Sequence, residues 1–170
     1  MKPEFEDQIG DLMRQKQLML ALAESCTGGL IGHRVTNIPG SSEYFIGGVV
    51  AYAYDAKEEF LGVRHETLLE HGAVSKATVV EMAQGVRQAL AARYPLDHTV
   101  SLAVSGIAGP GGGMPGKPVG LVWIALSSPE GTWAFRNQFK GSRIEIKDQT
   151  ADRALGILWD YLNEAALQAD

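Results

Sequence analysis

The chain has 170 residues, of which 45% are hydrophobic and 21% are charged, a composition typical of one globular domain with its own core. Its net charge of −5 argues against a broad nucleic-acid surface, and its single cysteine, Cys26, excludes an internal disulfide. No apolar run is long enough to span a bilayer and the acidic N-terminus lacks a signal-peptide core, so we expect a cytoplasmic protein without membrane partners.

Hydrophobic periodicity predicts alternating helices and strands in the first half of the chain. In chain order we expect a helix from Pro3, a buried strand over Leu18–Ala23, a helix over Thr27–Val35 and a strand over Tyr44–Tyr54. A short helix from Asp55 to about Leu61 and a helical turn over His65–His71 should follow. A longer helix should then run from Ser75 to about Tyr94, with Leu90 on its buried face. Asp55 and Glu58 have the spacing of a capping box, and Ser75 is a candidate N-cap.

The second half of the chain is richer in strands. We expect strands over Thr99–Ser105, Val119–Ser127 and Thr132–Phe139, followed by a helix with Ser142 and Glu145 as its capping box. This order of elements predicts an α/β fold, a three-layer α/β/α sandwich over residues 1–170 as a single domain. Its mixed, mostly parallel sheet should have about five strands, with one antiparallel member supplied by a hairpin.

The first polar cluster is Glu24-Ser25-Cys26-Thr27, which ends a buried strand and precedes two glycines and a helix. Backbone N–H groups at a helix start lack intrahelical partners, and the helix dipole adds positive charge there. A nucleophile and an anion site would share this turn, so we interpret Ser25 as a candidate nucleophile. The alternatives are that Ser25 is only an N-cap, or that the Cys26 thiol is the nucleophile.

A serine nucleophile needs a base, and none of the four histidines is well placed to serve it. Lys57 follows a strand end and lies in the first turn of a helix, where burial and the dipole would lower its pKa to about 7–8. Tyr52 would relay or orient the proton, and Tyr54, predicted on the same strand face, is an equal candidate. The alternative for Lys57 is an ordinary solvated side chain.

The glycine-rich segment from Ser105 to Gly113 also follows a strand end, and its backbone can approach a ligand closely. Predicted substrate contacts in this segment are Ser105, Gly106, Ala108, Gly109 and Gly112; the alternative is a mobile surface loop. Arg143, at the start of the last helix, either binds a phosphate or is a solvated charge. No metal site is predicted, because the spacing of His65 and His71 places their rings on different helix faces.

These polar clusters all lie at predicted carboxyl ends of strands, where ligands gather in sheets of this class. Four sequence motifs, in this order, resemble those of the CinA C-terminal domain family. They are Ala23–Gly29, Tyr52 with Lys57, Ser105–Pro110, and Lys117–Gly120. The resemblance covers about residues 5–165, nearly the whole chain.

The resemblance implies an amidohydrolase that converts nicotinamide mononucleotide (NMN) and water to nicotinate mononucleotide and ammonia, without a metal or organic cofactor. It implies a homodimer, with Ser25, Tyr52 and Lys57 as the catalytic residues. Backbone N–H groups of Cys26, Thr27 and Gly28 would hold the oxyanion. Alternatives are a cysteine amidase using Cys26 and a non-catalytic nucleotide-binding or partner-binding module.

The chain departs from the family pattern at three places. Tyr54 stands where a small polar residue is frequent. Gly141-Ser142-Arg143 replaces a frequent Gly-Asp-Arg, and Lys147 replaces a second arginine. The last two departures concern phosphate contacts rather than the acyl chemistry.

Overall fold

The computed structural model describes residues 3–89 and 93–170. Its strands are β1 (Met19–Glu24), β2 (Phe45–Val50), β3 (Thr99–Gly106), β4 (Leu121–Ser128) and β5 (Gly131–Gln138). They form one sheet in the order β2-β1-β3-β4-β5. β1 is parallel to β2 and β3, whereas β4 is antiparallel to both of its neighbours, so β4 alone opposes the other strands. The mixed, mostly parallel sheet with one reversed hairpin strand is therefore confirmed.

Helices cover both faces of this sheet. They are α1 (Pro3–Gln15), α2 (Leu30–Thr36), α3 (Tyr54–Leu61), α4 (His65–His71), α5 (Lys76–Ala89) and α6 (Arg143–Leu162). One core cluster joins Val100, Leu102 and Val104 of β3 to residues of α1, α2 and α6. The other joins small residues of the sheet, such as Ala103, to α3, α4 and α5. Because alternate residues of β3 are buried on opposite faces, the three-layer sandwich is confirmed.

Several predicted boundaries were wrong around the first two crossovers. β2 ends at Val50 rather than Tyr54, and α2 begins at Leu30 after a turn rather than at Thr27. Ala53 is the N-cap of α3 and makes no side-chain cap bond, so the predicted capping box of Asp55 and Glu58 does not exist.

Two other predicted caps are confirmed. The Thr78 N–H donates to Ser75 Oγ at 3.1 Å, and the reciprocal bonds of Ser142 and Glu145 open α6. The predicted last turn of the long helix, with Leu90, lies outside the described residues.

The helix that carries Lys57 is fixed by close packing. A Cβ on Gly85 of α5 would lie 1.7 Å from the carbonyl oxygen of Leu61, so only glycine lets α5 approach the end of α3 this closely. The Gly62 N–H closes α3 on the carbonyl of Glu58 at 3.0 Å. α3 is therefore held rigidly beside the carboxyl edge of the sheet. Within the described ranges, no helix is both long and apolar enough to cross a membrane.

Candidate active site

A cavity of about 250 Å³ opens at the carboxyl edge of the sheet, beside the segments that follow β1, β2 and β3. Ten of the predicted site residues line it: Ser25, Cys26, Tyr52, Lys57, Ser105, Gly106, Ala108, Gly109, Gly112 and Arg143. Thr27 and Gly28 do not line it. The remaining lining residues, which the sequence interpretation missed, are Ala73, Val74, Ile107 and Gly111. The last two lie within the glycine-rich segment, whereas Ala73 and Val74 carry no local signal.

Lys57 and Ser25 meet at the inner end of this cavity. Lys57 Nζ lies 3.1 Å from Ser25 Oγ, 2.7 Å from the carbonyl oxygen of Ala51 and 3.3 Å from that of Tyr52. Lys57 is only 1% exposed and Ser25 is 8% exposed. Burial lowers the pKa of Lys57 from 10.5 to about 8, with a smaller opposing effect from Cys26. The amine thus stays mostly protonated at pH 7, but its neutral fraction is far larger than that of an ordinary lysine.

The partners of Lys57 are all uncharged oxygens. No carboxylate in the described part of the chain pairs with Lys57. A neutral amine has two N–H donors and one lone pair. The ammonium form donates to all three oxygens, Ser25 Oγ among them. Once the proton is lost, two N–H groups can stay on the carbonyls of Ala51 and Tyr52, and the lone pair can then accept the Ser25 hydroxyl proton. This arrangement can generate a serine alkoxide.

Glu24 occupies the helix N-terminus that the sequence interpretation assigned to an anion. Its carboxylate, 3% exposed, accepts hydrogen bonds from the Thr27 hydroxyl at 2.7 Å and from three backbone N–H groups, those of Gly29, Ile31 and Gly32, at 2.8–3.1 Å. The start of α2 is therefore already satisfied by a side chain of the protein. The expectation that this helix end also serves as an external anion site was wrong.

The turn after Ser25 has fewer free donors than predicted. The Gly28 N–H donates to the Ser25 carbonyl at 3.0 Å, so the structure contradicts its assignment as an oxyanion donor. The backbone N–H groups of Cys26 and Thr27 lie beside the Cys26 thiol, where they lower its pKa. Burial outweighs that effect and raises the pKa of Cys26 to about 12. The thiol is thus protonated at neutral pH, which disfavours Cys26 as the nucleophile.

The two candidate tyrosines take different places. The Tyr52 hydroxyl accepts a hydrogen bond from Arg143 Nη2 at 2.7 Å at the rim of the cavity. The Tyr54 hydroxyl accepts from the Ala73 N–H at 3.2 Å, and Tyr54 does not line the cavity. The prediction that both lie on one strand face was wrong, because β2 ends before Tyr52 and α3 begins at Tyr54.

Arg143 joins Tyr52 to the glycine-rich segment. Its Nη1 donates to the carbonyl of Gly109 at 2.7 Å. A Cβ on Gly109 would lie 2.6 Å from a methyl carbon of Val119, and a Cβ on Gly106 would lie 2.5 Å from one of Val122. These glycines therefore allow the segment to pack closely against the chain around β4, whatever else they contact.

Ser105 is buried, and its hydroxyl donates to the carbonyl of Ala73 at 2.7 Å. This bond ties the loop between α4 and α5 to the end of β3, and it leaves the Ser105 oxygen able to accept a hydrogen bond from a ligand. Lys147 Nζ lies 3.9 Å from the position of a Cβ on Gly28, beside the Ser25 turn. Within residues 3–89 and 93–170, no three His, Cys, Asp or Glu side chains group closely enough to hold a metal ion.

Comparison with known proteins shows the family of the chain. The model of the CinA C-terminal domain matches residues 2–162, nearly the whole chain. The chain belongs to the CinA C-terminal domain family. The "CinA-like protein" of Salinibacter ruber is 48% identical to this CinA domain over 151 residues, which are 89% of the chain and 35% of that protein. The chain spans little more than a third of the length of the curated relatives it matches.

Solved structures share the fold of this CinA domain over nearly their whole length. A CinA superfamily protein from Klebsiella pneumoniae is 33% identical with a TM-score of 0.87, covering 95% of this chain and 98% of that one. The competence/damage inducible protein CihA from Agrobacterium tumefaciens is 41% identical with a TM-score of 0.78, covering 91% and 95%.

Proposed function

We propose that this CinA domain is an amidohydrolase that converts NMN and water to nicotinate mononucleotide and ammonia. The observation that carries the proposal is the buried Lys57 amine, 3.1 Å from Ser25 Oγ and without a carboxylate partner in the described chain. Membership of the CinA family supports the choice of substrate through the resemblance of the site motifs. The proposal extends to a nucleotide substrate in a homodimeric cytoplasmic protein.

Lys57 supplies the base. With a pKa of about 8, roughly 10% of the amine is neutral at pH 7, against about 0.04% for an ordinary lysine. The neutral nitrogen takes the proton of the Ser25 hydroxyl, and Oγ attacks the carboxamide carbon of the substrate. The carbonyl π electrons move to oxygen, giving a tetrahedral oxyanion.

The oxyanion is stabilised by a backbone donor in the Ser25 turn. Of the predicted donors, the N–H group of Cys26 remains, since that of Gly28 is engaged within the turn and Thr27 does not line the cavity. One such donor is typically worth about 3–4 kcal/mol in the transition state. The positive charge of the pyridinium ring withdraws electrons from the amide and makes it more reactive.

Collapse of the intermediate breaks the C–N bond. The Lys57 ammonium returns its proton to the departing nitrogen, which leaves as ammonia, and an ester links the acyl group to Ser25 Oγ. A water molecule then gives its proton to neutral Lys57 and attacks the ester carbon. Expulsion of Ser25 Oγ, which regains the proton from Lys57, releases the acid.

Ammonia release from purified protein tests the proposal. We expect NMN to yield equal amounts of ammonia and nicotinate mononucleotide, and Ser25→Ala to lower the rate by at least about 10³-fold. Cys26→Ala should retain activity within about threefold, because its protonated thiol takes no part in the chemistry. Loss of activity in Cys26→Ala alone would establish a cysteine amidase, and binding of NMN without ammonia release would establish a non-catalytic module.

A further inference from the structure

The Tyr52 hydroxyl is bonded to Arg143 and to neither Ser25 nor Lys57. Lys57 Nζ already has Cε and three partners: Ser25 Oγ and the carbonyls of Ala51 and Tyr52. A tetrahedral nitrogen has no further position for a phenol. The backbone of Tyr52, not its side chain, thus contributes to the Ser25–Lys57 pair.

The same hydroxyl has a well-defined partner at the cavity rim. Arg143 Nη2 donates to Tyr52 at 2.7 Å and Arg143 Nη1 donates to Gly109 at 2.7 Å, so one guanidinium connects the turn after β2 with the glycine-rich segment. Arg143 is also the first residue of α6 and lies within the capping box, between Ser142 and Glu145, which fixes its backbone. Guanidinium has five N–H donors, so three remain for a ligand.

From this geometry we infer that Tyr52 is a positioning residue for Arg143, and that Arg143 receives the anionic group of the substrate. The inference rests on the proposed amidase function, whose substrate carries a phosphate, and it gives that phosphate a partner in the cavity. Ser25 and Lys57 lie at the inner end of the cavity, while Arg143 and Tyr52, whose ring is 58% exposed, lie at its rim. An amide entering the cavity leaves its anionic group beside Arg143.

A proton relay and a positioning role predict different kinetics for Tyr52→Phe. A relay would lower kcat, because the lost hydroxyl acts in the transition state. A positioning hydroxyl raises KM, because the freed Arg143 side chain must be ordered again each time the substrate binds. Ordering one such side chain corresponds to a weakening of about two- to twelvefold. The effect should be confined to substrates that carry the phosphate.

The experiment compares NMN with nicotinamide riboside, the same amide without the phosphate. Wild type, Tyr52→Phe, Arg143→Gln and the double variant are assayed for ammonia release on both substrates. We expect each single variant to raise KM for NMN about three- to tenfold, with kcat within twofold and little change for the riboside. The double variant should resemble Arg143→Gln alone, because the two side chains act through one contact.

Tyr161→Phe is the matched control. Its hydroxyl also bonds a charged partner, Glu130 Oε2 at 2.6 Å, but Glu130 lies at the hairpin between β4 and β5, at the opposite end of the sheet. This variant should leave KM for NMN and KM for nicotinamide riboside unchanged. Circular dichroism and thermal unfolding of every variant separate misfolding from an altered site.

The possible results discriminate between the inference and the function on which it rests. A fall in kcat of about 100-fold in Tyr52→Phe, or additive effects in the double variant, would overturn the inference while leaving the amidase intact. The binding of NMN is measured independently by calorimetry, with every variant also made in a Ser25→Ala background. If the wild type releases no ammonia, the proposed amidase function is refuted. In that case a Kd for NMN that rises equally in Tyr52→Phe and Arg143→Gln would still support the positioning role. A Kd for NMN that is unchanged in these variants would refute it.

Discussion

Two buried ionisable side chains lie near the carboxyl ends of the neighbouring parallel strands β1 and β2, and they have opposite surroundings. Glu24 holds four donors, among them three backbone N–H groups at the start of α2. Lys57 has only neutral oxygen partners, and burial lowers its pKa to about 8. A buried charge with a full set of partners stabilises structure, whereas a buried group whose charge has no counter-charge loses its proton more easily and is available for proton transfer.

The sharpest test of this contrast is removal of the amine. Lys57→Met should lower kcat for NMN by at least about 10³-fold, because Ser25 loses its general base. Lys76→Met, which removes an exposed lysine bonded to the carbonyl of Asp170, is the matched control and should keep full activity. Steady-state ammonia release measures both. Activity of Lys57→Met close to wild type would show that the buried amine is not the base.

Removal of the carboxylate tests the other half of the comparison. Glu24→Ala should lower the free energy of unfolding by about 3–5 kcal/mol, since it leaves buried donors of the Ser25 turn and α2 without a partner. Glu24→Gln, which keeps one acceptor oxygen, should lose less. Urea unfolding followed by circular dichroism measures these changes. The control Glu145→Ala removes an exposed capping carboxylate and should lower the free energy of unfolding by about 1 kcal/mol. A loss of the same size in Glu24→Ala would contradict the role of Glu24 as the partner of buried donors.

The lowered pKa of Lys57 predicts how stability changes with pH. Below pH 8 both the folded and unfolded states hold the proton, and the fold bears the cost of the buried charge. Between about 8 and 10.5 the folded state loses its proton first, so the unfolding free energy of wild type should rise relative to Lys57→Met, by at most about 3 kcal/mol. Unfolding of both proteins at pH 7, 9 and 10.5 measures the difference. A constant difference would mean that the pKa of Lys57 is ordinary.

The smallest expected effect is on the pH dependence of the reaction. Because the neutral fraction of Lys57 rises from about 10% at pH 7 to about 90% at pH 9, kcat/KM should increase about tenfold over this range and then level off. Ammonia release at low NMN concentration across this range measures the profile. A midpoint near 6.5 would instead indicate a histidine base.

The meeting of Ser25 and Lys57 could be predicted from the sequence, because each follows one of two neighbouring parallel strands whose carboxyl ends share an edge. The partners of Glu24 could not, since they are spread over the following eight residues and meet only when the turn closes around the carboxylate.

The place of Tyr52 was also beyond sequence patterns. β2 ends two residues before it, so strand alternation no longer determines the direction of its side chain. Its partner, Arg143, is 91 residues away in the chain. Ala73 and Val74 enter the cavity through a loop without polar or glycine-rich motifs, and their place depends on the bond from Ser105.

The internal cap of α2 by Glu24 affects how substrate selection can evolve. Because the helix terminus is occupied, the side chain that attracts an incoming anionic substrate is Arg143, which is partly exposed to solvent. The affinity for that substrate should therefore weaken as the ionic strength rises. A single substitution at such a position can alter the substrate range while the acyl-transfer machinery stays intact. If the proposed function holds, selectivity and chemistry are encoded in separate parts of the chain, and one can change without the other.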